Sequence, residues 1–221
     1  MRRDDRAGIS LLELVVVLAL VGVMMTMAVG TLGSWADDQR AATSARSVAD
    51  AFGLARAESL RTGNNHIVAF NVATGLNNIT SDIVVVNDGP PATANCVIQS
   101  GELVHSISLE TNVDFGSTAA LSNETKAPDD AGAAGTKIAG SSFTDATTGA
   151  ASWVFYGPDG MPRRFTQNGS TSSPCTATTP VGSAGGAIYV TNGHRDYAVV
   201  LSPLGTVRLH RWISDDSGWT Q

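Results

Sequence analysis

Residues 9–32 read ISLLELVVVLALVGVMMTMAVGTL, 24 positions with one charged side chain, Glu13. A run of this length exceeds the roughly 20 residues that cross a bilayer as a helix. After Gly33 polar residues enter, yet the helical signal continues through Ala41, Ala42, Ala45, Val48, Ala49, Ala51, Phe52, Ala55 and Ala57 with no Pro. Val48, Ala51, Phe52, Ala55 and Ser59 recur at i, i+3, i+4, i+7 and i+11, a narrow apolar face suited to covering a sheet. Arg61 followed by Gly63 is a stop signal. One helix is therefore expected from about residue 9 to about residue 62, roughly 80 Å long at ~1.5 Å per residue. Gly22, Gly30 and Gly33 are its candidate soft points.

Beyond Asn65 the period shortens to two. Strands are expected over 66–72, 83–86, 103–109, 152–156, 187–191, 197–201 and 206–212, an antiparallel body. Between them run loops rich in Gly, Pro, Ser and Thr, especially 87–95, 126–142 and 168–186, which are too long for hairpin turns. The fold class is thus α+β, a long N-terminal helix packed on an antiparallel β-sheet body. The segments are 1–8, a short basic lead; 9–33, a transmembrane half-helix; 34–62, the polar half of the same helix; and 63–221, the β-rich body.

Composition adds order and orientation. The chain is 43% hydrophobic and 15% charged, which excludes a disordered polymer. Arg2, Arg3 and Arg6 precede the apolar run and Asp37-Asp38 follow it, so the N-terminus is expected to be cytoplasmic and the body exported. The net charge is −6, and without residues 1–8, which hold three Arg and two Asp, it is −7. Bulk attraction to nucleic acid is not expected of such a body.

A secretory signal peptide and a plain uncleaved anchor are the ordinary readings of the N-terminus. The apolar run outlasts the roughly 7–15 residues of a signal peptide's apolar region. Glu13 speaks against both, because a carboxylate near the bilayer centre costs about 2.5–3.5 kcal/mol on insertion scales and marks a functional position.

Gly8-Ile9-Ser10-Leu11-Leu12-Glu13-Leu14 resembles the prepilin-peptidase site of type IV pilins and type II secretion pseudopilins. The resemblance implies a leader cut after Gly8, N-methylation of the new N-terminus at Ile9, where the family usually carries Phe, and an assembly role for Glu13. A cut there places a positive amine on Ile9 near the depth of Glu13. In a staggered bundle of like helices one subunit's Glu13 can then neutralise its neighbour's amine and set the register. A Glu13 solvated in the interface or paired within its own chain is the alternative.

Trp153-Val154-Phe155-Tyr156-Gly157-Pro158-Asp159-Gly160 and the closing run from Tyr197 through Ser202-Pro203-Leu204-Gly205 to Leu209 resemble the H-type minor pseudopilins and the related FimT and FimU minor pilins. What this resemblance implies is a minor pseudopilin, a subunit that starts or tips a periplasmic pseudopilus used in type II protein secretion. The alternative is a minor type IV pilin for pilus assembly or DNA uptake. The implied partners are other pseudopilins or pilins through the N-terminal helix, the prepilin peptidase, the inner-membrane assembly platform and the bacterial inner membrane.

Catalytic chemistry finds no motif: there is no phosphate loop, nucleophile elbow or metalloprotease signature. No cofactor and no metal is expected. His66, His105, His194 and His210 are scattered and read as solvated or locally hydrogen-bonded, and the pairs Asp129-Asp130 and Asp215-Asp216 as solvated loop charges. Cys96 and Cys175 are candidates for one disulfide in an exported body, with two separate thiols as the alternative. Basic candidates are Arg163-Arg164 and, near the C-terminus, Arg208 and Arg211. Members of the family that bind DNA resemble a Gly-Arg-x-Arg pattern, whereas Gly205-Thr206-Val207-Arg208 lacks its first Arg. An ordinary strand, with Arg208 and His210 facing one side and Val207, Leu209 and Arg211 the other, is the competing reading.

Overall fold

A computed structural model describes residues 10–70, 81–118, 126–132, 140–166, 179–213 and 218–220. For residues 27–32, Ser100 and Ile213 it describes the backbone alone. The chain divides into two compact units, Met1–Gln39 and Arg40–Gln221. Helix α1 runs over Leu11–Thr62, 52 residues, and contributes to both. It ends where Gly63 takes a positive φ of 70° and Gly63 N–H donates to the Ser59 carbonyl at 3.0 Å. A residue with a Cβ is strained in that conformation, so the stop signal acts through the backbone.

The second unit holds two five-stranded sheets. The first has the order β3 (Leu103–Ile107), β2 (Ile83–Gly89), β1 (Asn65–Phe70), β5 (Trp153–Tyr156) and β6 (Pro162–Arg163). The second has β10 (Gly218–Thr220), β9 (Val207–Ile213), β8 (Asp196–Leu201), β7 (Gly186–Thr191) and β4 (Asp114–Phe115). Every described pairing is antiparallel. All seven expected strands are present within a few residues. The short strands β4, β6 and β10 are additional, because two or three residues are too few to display a period.

The helix and the two sheets share one core. Ala41, Ser44, Ala45, Val48, Ala51, Phe52, Ala55 and Ser59 are buried along one stripe of α1. They meet Val68, Phe70, Ile83, Val85, Val154 and Tyr156 of the first sheet and Ile188, Val190, Val199 and Leu201 of the second. Phe52 sits 6.4 Å from Phe70 and 6.1 Å from Phe143, and those two rings lie 5.4 Å apart. The outer faces of the sheets carry smaller clusters. Cys96, Ile98 and Phe165 cover Ile67, Val84, Val86 and Phe155, and Ala127 and Trp219 pack with Ala187, Tyr189, Ala198 and Val200.

Two tight turns fasten the sheets to the end of the helix, and each needs glycine. Gly160, at φ 67°, lies so close to Leu60 that a Cβ would stand 2.9 Å from its Cγ. Gly205, at φ 81°, gives its carbonyl to the Arg56 guanidinium at 3.1 Å. The two C-terminal segments singled out in the sequence are therefore the two that grip the last turns of α1.

Because Phe52 is fully buried and joins both sheets through the ring cluster, Phe52→Ala is expected to destabilise the second unit by about 3–5 kcal/mol. Chemical denaturation followed by far-ultraviolet circular dichroism measures it. Gly53→Ala, one residue along on the exposed side with open space around its Cβ, is the control and is expected to be neutral or stabilising.

Candidate functional site

In the first unit the helical hydrogen bonding starts with Leu14 N–H donating to the Ser10 carbonyl at 3.1 Å. Glu13 is exposed in the first turn, where the positive end of the helix dipole favours a carboxylate. Its neighbours are apolar and exposed on every side of the helix. The large hydrophobic side chains from Leu11 to Met25 are between 40% and 82% accessible. A helix apolar all round belongs inside a larger apolar assembly, and an exposed apolar surface of this extent marks an interaction site. Among the described residues no helix is long and apolar enough to cross a membrane. Gly8 and Ile9 lie outside the described residues.

The basic pair near the C-terminus separates. Arg208 and His210 point to the outer face of the second sheet, opposite Val200 and Ala198, whereas Arg211 is on the other face opposite Tyr197. Arg208 Nη1 lies 2.5 Å from Asp129 Oδ2 in an ion pair just over half exposed on both sides. Arg163 is likewise held by Asp159 at 2.5 Å, and Arg164 donates to Thr144 Oγ1 at 2.9 Å. These cations do not converge on one surface.

Asp129 is exposed, as expected of a solvated loop charge, and pairs with Arg208, whereas Asp130 is structural. Asp130 accepts from Ser142 Oγ at 2.6 Å, Tyr189 Oη at 2.7 Å and Gly132 N–H at 2.8 Å. Tyr189 Oη in turn accepts from Ala127 N–H at 3.1 Å, so one carboxylate pins the loop to the sheet. The same device recurs at Asp88, which is buried and accepts from Asn95 and Cys96 N–H at 3.0 and 2.9 Å. It recurs again at Asp196, which accepts from Thr118 N–H and Oγ1 at 2.9 and 2.6 Å. Sequence reasoning missed these clamps; the available signal was an Asp beside a turn residue in Asn87-Asp88-Gly89. Asp215 and Asp216 lie outside the described residues.

Cys96 is disulfide-bonded, and Cys175 lies outside the described residues. Among the described residues no group of three or more His, Cys, Asp or Glu is arranged to hold a metal ion.

Two histidines are buried, and of these His66 is locally hydrogen-bonded, as one of the two expected states has it, while His210 is neither solvated nor bonded. His66 is fully buried, its Nδ1 donates to the Asn64 carbonyl at 3.3 Å, and its Nε2 has no partner. His210 is buried with neither ring nitrogen bonded. Strand alternation placed both rings on a covered face, which single-residue polarity does not reveal.

Residues 3–29 match a family described as the prokaryotic N-terminal methylation motif. The match supports a type IV pilin-like protein that is processed by a prepilin peptidase and assembles with other pilins. No curated protein and no solved structure matches the chain.

The buried histidines give the second unit a pH dependence. Burial pushes the pKa of His66 below the ordinary 6.5, against smaller opposing effects of the Asn64 carbonyl and Glu58. Burial does the same at His210, where Asp129 opposes it and Arg208 adds to it. The unfolded chain therefore binds these protons more readily than the folded one, so this contribution is fully present above about 6.5 and is lost as the pH falls. Glu102 runs the other way, since burial and the charge of Asp88 raise its pKa to about 6. The difference in melting temperature between the native chain and a His66→Leu, His210→Leu variant isolates the histidines. It is expected to move in the variant's favour as the pH is lowered from 7 to 5, and a difference independent of pH would contradict the assignment.

Proposed function

We propose that this chain is a minor pseudopilin, a structural subunit that initiates or tips a short periplasmic pseudopilus for type II protein secretion, and that it acts by assembly rather than by catalysis. The observation that carries the reading is the methylation motif over residues 3–29 at the head of a helix whose first turns, Leu11 to Met25, expose apolar side chains around the single charge of Glu13. In this reading residues 9–33 anchor the subunit once in the bacterial inner membrane, with the N-terminus cytoplasmic and the β body periplasmic. The resemblance of the two C-terminal segments to H-type pseudopilins and FimT-like pilins supports the finer placement. A minor type IV pilin shares the N-terminal device. The DNA-uptake form of that alternative has less support, because Arg208 is engaged by Asp129 and Arg211 faces away from it.

The mechanism rests on charge burial. Cleavage after Gly8 frees the Ile9 amine, and α1 carries Glu13 four residues further on. When subunits pack through this apolar surface, each amine needs an anion at its own depth. A neighbour's Glu13 supplies it at one stagger only, and any other stagger leaves both charges desolvated and unpaired. The carboxylate therefore acts as a gauge of register and contributes little to folding of the second unit.

Two measurements test this. Mass spectrometry of the native protein is expected to find a chain starting at methylated Ile9 with the whole helix retained; a start near Gly30 would mean a signal peptide. Glu13→Ala is expected to leave membrane insertion, cleavage and the fold of the body intact while assembly fails. It lowers the cost of insertion, so weaker anchoring cannot explain a defect, whereas the unpaired amine costs on the order of several kcal/mol. Crosslinking to other pilin-like subunits, read beside secretion or piliation, decides it: normal crosslinks with normal function would remove the register role.

A further inference from the structure

Four strands end the two sheets among the described residues, and three of them are blunted. β6 is two residues long and begins with Pro162, β4 is two residues long and begins with Asp114, and β10 has three residues. Short edges, Pro, charge and bulges are the usual protections against added strands. β3 has only the last of them. Its five residues, Leu103-Val104-His105-Ser106-Ile107, hold no Pro and no Lys, Arg, Asp or Glu. Its first four residues are exposed, with Leu103 and Val104 more than 40% accessible. A bulge near Val104 interrupts the pairing with β2, but His105, Ser106 and Ile107 stay in regular register with Val85, Val84 and Ile83. On the far side of such a strand, backbone N–H and C=O groups of alternate residues point outward.

Charge defines what can lie there. From Thr62 to Thr125 the chain has no Lys or Arg, while Asp82, Asp88, Glu102, Glu110, Asp114 and Glu124 are all acidic. Asp82 and Asp88 are occupied by the N–H groups of Leu109 and Cys96. Glu102 and Glu110 bracket β3. Glu110 is exposed, whereas Glu102 is half-buried: one carboxylate oxygen accepts from Gln99 Nε2 at 3.3 Å and the other is buried without a hydrogen-bond partner. Glu102 also lines an open groove of about 360 Å³ with Asn64, Asn87, Gly89 and Val104 at the start of the strand.

We propose that the outer edge of β3 is a strand-addition site, which takes an extended segment of another protein, uncharged and β-branched at its centre and carrying Lys or Arg at its ends, as a further strand of the first sheet. Main-chain hydrogen bonds hold the segment. The apolar centre lies along Leu103, Val104 and Ile107, and the terminal cations meet Glu110 and, in the groove, Glu102. A second copy of this chain does not fit, because its β3 would bring the same acids against their like. The site is independent of the helix-borne assembly role, and Glu13→Ala leaves it unchanged.

The test uses the full-length chain in detergent micelles and three fluorescein-labelled peptides: Lys-Val-Thr-Val-Thr-Val-Lys, Glu-Val-Thr-Val-Thr-Val-Glu and Lys-Val-Thr-Pro-Thr-Val-Lys. Anisotropy is expected to show the first binding about tenfold or more tightly than either of the others. Amide hydrogen exchange is expected to slow over residues 103–107 when it binds. Glu102→Gln, which leaves the strand intact, is expected to shrink the preference for basic ends, and Val104→Pro to abolish binding while circular dichroism stays native. Absence of binding, equal binding of the acidic or proline-interrupted peptide, or protection outside residues 103–107 would overturn the proposal.

Discussion

The second unit is organised by the fit of one helical stripe against two sheets. Ala41, Ala45, Ala51 and Ala55 keep the stripe shallow, so backbone can approach backbone. Phe52 is the one large side chain set into it, and its ring closes on Phe70 and Phe143. Interiors pack at crystalline density, so an extra methylene at any of these alanines must displace a sheet. That constraint fixes where Val68, Ile83, Ile188 and Val199 lie, and with them the register of β1, β2, β7 and β8. The grip of the Gly160 and Gly205 turns on Leu60 and Arg56 follows from the same closeness.

Acidity has a structural use here. A chain with net charge −6 suggests a solvated, repelling surface, yet Asp82, Asp88, Asp130, Asp145 and Asp196 accept backbone N–H groups and hold loops in place. Bonds to a charged acceptor are stronger than neutral ones, and each loop so held needs little apolar burial of its own. This suits a body rich in Gly, Ser and Thr, whose connections have few large side chains with which to pack.

The pattern of the sequence carried the elements well and their surroundings less well. The helix, its stop at Gly63, the buried face from Val48 to Ser59 and seven strands follow from periods that any local window reveals. The three shortest strands do not, because two residues have no period. Nor does the burial of His66 and His210: polarity argues for solvent, and only the strand alternation together with the covering layer puts the rings inside. The Asp130 clamp depends on Ser142 and Tyr189, 12 and 59 residues away, a distance at which one sequence shows no correlation. At the N-terminus the family match over residues 3–29 agrees with the motif read from local spacing.

The order in which the parts of this core leave the ribosome has its own consequence. The stripe on α1 is complete by Ser59, but the strands that cover it on the second sheet, β7 to β9, are the last long ones made. About 140 residues of chain must follow before Ile188, Val199 and Leu201 can close over Val48 and Phe52. Contacts this distant in sequence form slowly, and a half-covered apolar helix is prone to aggregate while it waits. Small residues are a safeguard for that interval: a stripe made mostly of alanine offers stray partners far less apolar surface than leucine would, while still fitting closely once its own sheets arrive.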